Sequence, residues 1–122
     1  MKLATTWPRR EPVLDHRFSY ETFVAGTDEY RERLANELEE ELVRRLQASS
    51  DPAKTAYECI ENLKGLGHDL WSFDESDDFQ EWCGNWMAPK ASFELIVGFT
   101  YGEQEPATAS VAFKPLKTES PR

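Results

Sequence analysis

The chain is short of cysteine, glycine, basic residues and long apolar runs, and each shortage narrows what it can be. Its two cysteines, Cys59 and Cys83, are too few for a disulfide framework, so the pattern reads as reduced and intracellular. Its six glycines include no phosphate-binding loop. Gly65-Leu66-Gly67 lacks a third glycine and opens onto no helix, so it reads as a helix stop. No apolar run approaches the length of a membrane span, and Met1 to Arg10 holds too short an apolar stretch for a signal peptide. A cytoplasmic location is therefore expected. Basic residues number 14 against 23 acidic ones, for a net charge of −9. That balance repels phosphate backbones and anionic lipid surfaces, so it disfavours direct nucleic-acid binding and membrane association. Its natural counterpart is a basic partner protein.

What is present suits one globular domain. A chain of 122 residues buries enough surface to fold without a metal or disulfide. The aromatic fraction of 12% supplies burial that disordered chains lack. Residues 1–12, with Pro8, Pro12, Arg9 and Arg10, read as a flexible arm. Residues 115–122, with prolines at both ends, read as a polar tail, leaving a single domain over 13–114.

Within that domain the pattern changes period. Leu14, His16, Phe18, Tyr20 and Val24 alternate with Asp15, Arg17, Ser19 and Glu21, which predicts a half-buried strand over 13–24, with His16 on its apolar side. Thr27 offers an N-cap, and Tyr30, Leu34, Ala35, Leu38, Leu42, Val43 and Leu46 recur at three-and-four spacing, which predicts a long amphipathic helix. Asp51-Pro52 opens a second helix carrying Ala56, Tyr57, Ile60 and Leu63, and the short connection makes the two an antiparallel pair. Phe93 to Tyr101 and Ala107 to Lys114 alternate around turn residues 102–106, which predicts a β-hairpin. The expected fold is α+β: a small antiparallel sheet of one N-terminal strand plus the C-terminal hairpin, covered on one face by the helix pair, with a short extra helix in the 69–90 connection.

That connection is the unusual part. Asp69, Asp74, Glu75, Asp77, Asp78 and Glu81 lie together without a lysine or arginine, and Trp71, Phe73, Phe79, Trp82 and Trp86 are interleaved with and follow them. Two readings compete. In one, Ser76 caps the short helix, Asp77 and Asp78 occupy its first turn, and Phe79, Trp82 and Cys83 plug the core. In the other, the segment is a docking surface, with Trp71, Trp82 and Trp86 as anchors and Asp74, Asp77 and Asp78 steering a basic partner.

Chemistry finds less support. Asp74, Ser76 and Asp78 resemble the start of a calcium loop, but Phe79 replaces the required glycine and Asn85 the closing glutamate. The cysteines and histidines lack zinc spacing, so no metal or cofactor is expected. Cys83, His68 and Asp69 are the right atom types for a thiol enzyme, but Cys83 falls near the end of its expected helix, where the dipole opposes a thiolate. Cys59 reads as a small core residue. The function that suits this sequence is non-enzymatic: an acidic protein-binding domain of inhibitor, immunity or anti-defence type. The alternatives are an aromatic pocket lined by Tyr57, Trp71, Phe93 and Phe99 for a small molecule or reaction, a nucleic-acid mimic, and a subunit of a larger assembly.

Overall fold

The computed structural model describes residues 14–87, 92–102 and 106–115. The expected arm over 1–12 lies outside these residues, as do Glu103, Gln104 and Glu105 of the hairpin connection and all of the expected tail beyond Pro115. A 3-10 helix, His16–Phe18, leads into α1 (Tyr20–Ala25), α2 (Asp28–Gln47) and α3 (Pro52–Gly65), and four strands follow: β1 (Trp71–Ser76), β2 (Phe79–Met87), β3 (Ser92–Thr100) and β4 (Thr108–Pro115). The strands form one antiparallel sheet in the order β1-β2-β3-β4.

The helix starts follow from their caps. Thr27 Oγ1 accepts the Tyr30 N–H at 3.1 Å, and Asp51 Oδ1 accepts the Lys54 N–H at 3.4 Å, with Pro52 in the first turn where its missing N–H costs nothing. The apolar stripe of α2, Leu34, Leu38, Leu42 and Leu46, is fully buried, as are Ala56, Ile60 and Leu63 of α3. They meet Phe93, Leu95, Val97 and Phe99 of β3 and Ala109 and Val111 of β4 in one core cluster. Gly67, with φ +101°, turns the chain out of α3 in a backbone conformation that side chains resist.

Two expected elements are replaced. The strand predicted over 13–24 is, over its described residues from Leu14, the 3-10 helix plus α1. Local capping decides it: Asp15 accepts the Arg17 N–H at 3.0 Å, and Ser19 Oγ accepts the Thr22 N–H at 3.2 Å. The inward residues are Leu14, Phe18 and Phe23, a helical spacing that the alternation of nearby polar residues obscures. His16 accordingly faces solvent instead of an apolar side. The short helix predicted after Ser76 is strand β2. Ser76 closes a turn instead of capping a helix: its Oγ donates to Asp78 Oδ1 at 2.7 Å and accepts the Asp78 N–H at 3.3 Å. The sheet is thus a four-stranded meander, not one strand plus a hairpin.

Arg31 ties the helices together. Its side chain is buried, with the residue 6% exposed. Nη1 donates to the carbonyls of Phe23 at 2.8 Å and Gly26 at 2.6 Å, and Nη2 reaches Asp28 Oδ1 at 2.9 Å. The guanidinium also lies 5.3 Å from the Phe93 ring centre and 6.0 Å from that of Phe113, a favourable cation–π arrangement. One side chain therefore satisfies the carbonyls at the end of α1 and packs α2 on the sheet. Arg31→Met is expected to destabilise the fold by about 2–4 kcal/mol, because it removes the charged donor from the Gly26 carbonyl and leaves the Phe23 carbonyl only the long 3.4 Å bond from the Gly26 N–H. Urea denaturation of the two proteins measures this.

Candidate functional site

The acidic and aromatic residues of the sequence gather on the β1–β2 hairpin, and the strand alternation sorts them. β1 and β2 pair Trp71 with Cys83, Ser72 with Trp82, Asp74 with Glu81, Glu75 with Gln80 and Ser76 with Phe79. Gln80 and Trp82 are buried toward the helices. Cross-strand partners share a face, so Trp71, Asp74, Glu81 and Cys83 lie on the face turned away from the helices. All six residues of β1 are exposed.

The pairing slips between Ser72 and Asp74, leaving Phe73 as the extra residue of a β-bulge. A bulge bends its strand and redirects a side chain. Here it leaves Phe73 62% exposed and Trp71 47% exposed, with their rings 5.9 Å apart and edge to face. Two large apolar rings packed on each other at the surface, on a strand with no neighbour beyond it among the described residues, form the main exposed apolar feature of this hairpin.

Carboxylates follow that pair along the strand and into the turn. Asp74 and Glu81 stand directly opposite each other across the strands, a like-charge arrangement that costs stability. Asp77 and Asp78 form the turn. Among the described residues, none of Asp74, Glu75, Asp77, Asp78 and Glu81 is ion-paired. Glu75 accepts a hydrogen bond from the Tyr57 hydroxyl of α3, and that bond holds the Tyr57 phenol above its ordinary range. Burial pushes the Tyr101 phenol up as well; a hydrogen bond with Gln80 opposes this, and the nearby charges of Glu75, Asp78 and Asp77 add to it.

Of the six proposed docking residues, the structure exposes four along β1 and its turn: Trp71, Asp74, Asp77 and Asp78. Trp82 is only 8% exposed. Its indole N–H donates to Gln80 Oε1 at 2.9 Å, Tyr57 packs edge to face on it at 6.0 Å, and Lys64 Nζ sits 5.3 Å above it, so it belongs to the core. The side chain of Trp86 lies outside the described residues. Phe73, counted in the cluster by the sequence but not among its anchors, is the other exposed aromatic of the hairpin. A period-two pattern over 71–76 would put it on the same face as Trp71, but an isolated strand of charged residues carries too little alternation to show it.

The other chemical groups are held apart. The four residues of the suggested aromatic pocket do not converge: Phe93 and Phe99 fill the core, while Tyr57 and Trp71 are exposed on opposite sides of the sheet. A shallow depression of about 520 Å³ lies along α3 between Asp51, Tyr57 and Asn62. Among the described residues no group of three or more His, Cys, Asp or Glu is placed to hold a metal ion, and no helix is long and apolar enough to cross a membrane. Cys83 lies in a strand and not at a helix end. Burial pushes its thiol up to about 11, helped by Glu94, whose Oε2 accepts the S–H at 3.2 Å; a thiol so held is a poor nucleophile. Cys59 is buried in the core. No family model, curated protein or solved structure matches the chain.

His68 is buried beside α1, with Phe23 edge to face at 5.3 Å and its Nε2 2.7 Å from the Phe18 carbonyl. Burial lowers its pKa below the ordinary 6.5, against a smaller opposing effect of the Phe18 hydrogen bond. The folded state then binds the proton more weakly than the unfolded chain does. Stability is therefore complete above about pH 6.5 and falls as the pH drops from there toward the lowered value. Urea midpoints measured from neutral pH down to about pH 5, above most carboxylate titrations, are expected to decline, and His68→Gln is expected to flatten that decline.

Proposed function

We propose that the protein is a non-enzymatic binding domain that docks a basic partner protein through the exposed face and edge of the β1–β2 hairpin. The observation that carries this reading is the Trp71–Phe73 ring pair at the surface, followed along β1 and its turn by carboxylates without a cationic partner among the described residues. Exposed aromatics supply the contact energy of interfaces, and flanking charge supplies orientation and rate. Trp71 and Phe73 are the anchors; Asp74, Asp77, Asp78 and Glu81 steer. The opposed pair Asp74 and Glu81 supports it further, since a surface that costs the fold stability is a signature of a binding site. A single domain over 13–114, a cytoplasmic setting and an inhibitor or immunity-type role are consistent with this reading. Nucleic-acid mimicry fits less well, because Arg31 pairs with Asp28 and Arg44 and Arg45 pair with Glu41, breaking the acidic run of α2.

Affinity capture from the native source, with the wild-type chain beside the triple variant Asp74→Asn, Asp77→Asn, Asp78→Asn and beside Phe73→Ala, tests the reading. The wild type is expected to retain one stoichiometric basic protein, and each variant to bind it at least about tenfold more weakly. The triple variant is also expected to be as stable as the wild type or slightly more so, because it removes a like-charge pair while asparagine keeps the local hydrogen bonds. Equal affinity in all three proteins contradicts the assignment.

A further inference from the structure

The two edges of the sheet are finished differently. On the β4 side α2 closes the edge: Glu39 Oε1 accepts the outward Val111 N–H at 2.8 Å, and Gln47 Nε2 donates to the Ala107 carbonyl at 3.0 Å. On the β1 side no described element lies beyond the strand. In an antiparallel ladder, backbone groups point alternately toward and away from the partner strand. With Asp78 bonding to Tyr101 on the β3 side and Ser76 pairing with Phe79 on the β1 side, the alternation turns the backbone of Ser72 and Glu75 away from β2. Asp74 Oδ1 takes the Glu75 N–H at 2.9 Å. The Ser72 N–H and carbonyl and the Glu75 carbonyl face outward.

We propose that β1 accepts a fifth strand, an extended lysine- or arginine-bearing segment of another protein, along this outer edge. The inference rests on the docking reading above and specifies how the partner binds. An open edge supplies main-chain hydrogen bonds to any extended chain, and side chains beside it decide which chain is accepted. Trp71 and Phe73 offer apolar contact to alternate residues of the incoming strand. Asp74, Glu75, Asp77 and Asp78 select a cationic one. The same carboxylates exclude a second copy of this protein, since pairing β1 with β1 would set them against each other. Charge thus rejects self-association and admits a basic segment by one device.

The test uses the full chain, isotope-labelled for NMR, and four short peptides: one alternating lysine with valine, one alternating glutamate with valine, and two versions of the lysine peptide, N-methylated at one or the other alternate set of amides. Methylation keeps charge and side chains but removes the backbone donors on one edge. The lysine peptide is expected to shift the β1 amides and to slow exchange of the Ser72 N–H at least about tenfold. One methylated set is expected to abolish this and the other to leave it intact, while the glutamate peptide leaves the spectrum unchanged. Binding of both methylated peptides as tightly as the parent, without Ser72 protection, overturns strand addition and leaves charge-and-aromatic docking standing. Failure of the lysine peptide to bind also overturns strand addition, and the docking reading is then decided by the capture experiment alone.

Discussion

The contact from Glu39 of α2 to the Val111 N–H of β4 fixes the geometry on which the rest depends. With Gln47 bonded to Ala107 and Arg31 lying against Phe113, it sets α2 lengthwise and antiparallel along β4. A helix pinned there turns Leu34, Leu38, Leu42 and Leu46 onto the inward aromatics of β3 and carries Arg31 to the end of α1. One face and one edge of the sheet are covered, and the far edge, β1, is left for side chains to manage. The position of the open surface is therefore a consequence of where α2 sits.

Charge is distributed to match. Several carboxylates of the helical layer are answered at home: Asp28 by Arg31, Glu37 by Arg17, Glu41 by Arg44 and Arg45. Burial alone would raise the Glu41 carboxyl, but the hydrogen bonds and charge of Arg45 and Arg44 pull it below its ordinary range. The hairpin carboxylates receive no such partner among the described residues. An unprotected strand edge is an aggregation hazard, and like charge along it is a common remedy. That protective role and the recruitment of a basic partner need the same atoms, so the segment serves solubility in the free protein and recognition in the complex.

Much of this was legible in the sequence. The stripe from Leu34 to Leu46, the Asp51-Pro52 start of α3 and the alternation of Phe93 to Phe99 each combine a clear period with recognisable ends, and each became the element it implied. The two misread segments lacked one of those supports. Between Val13 and Val24 a short alternation competed with two local caps, Asp15 and Ser19, and capping prevailed. Around Ser76-Asp77-Asp78 the same residues suit a helix start or a two-residue turn, and only the cross-strand partners, distant in sequence, decide between them. The acidic-aromatic cluster was visible as composition. Which of its rings point outward was not, because that depends on the bulge at Phe73 and the burial of Trp82 beneath Tyr57 and Lys64.

The unequal finish of the two sheet edges is the central claim, and residue-resolved amide hydrogen exchange on the free protein tests it most directly. The Val111 N–H, held by Glu39 on one edge, is expected to exchange slowly, near the rate of global unfolding, whereas the Ser72 N–H on the other edge is expected to exchange close to the rate of an unstructured chain. A protected Ser72 or a freely exchanging Val111 would contradict it.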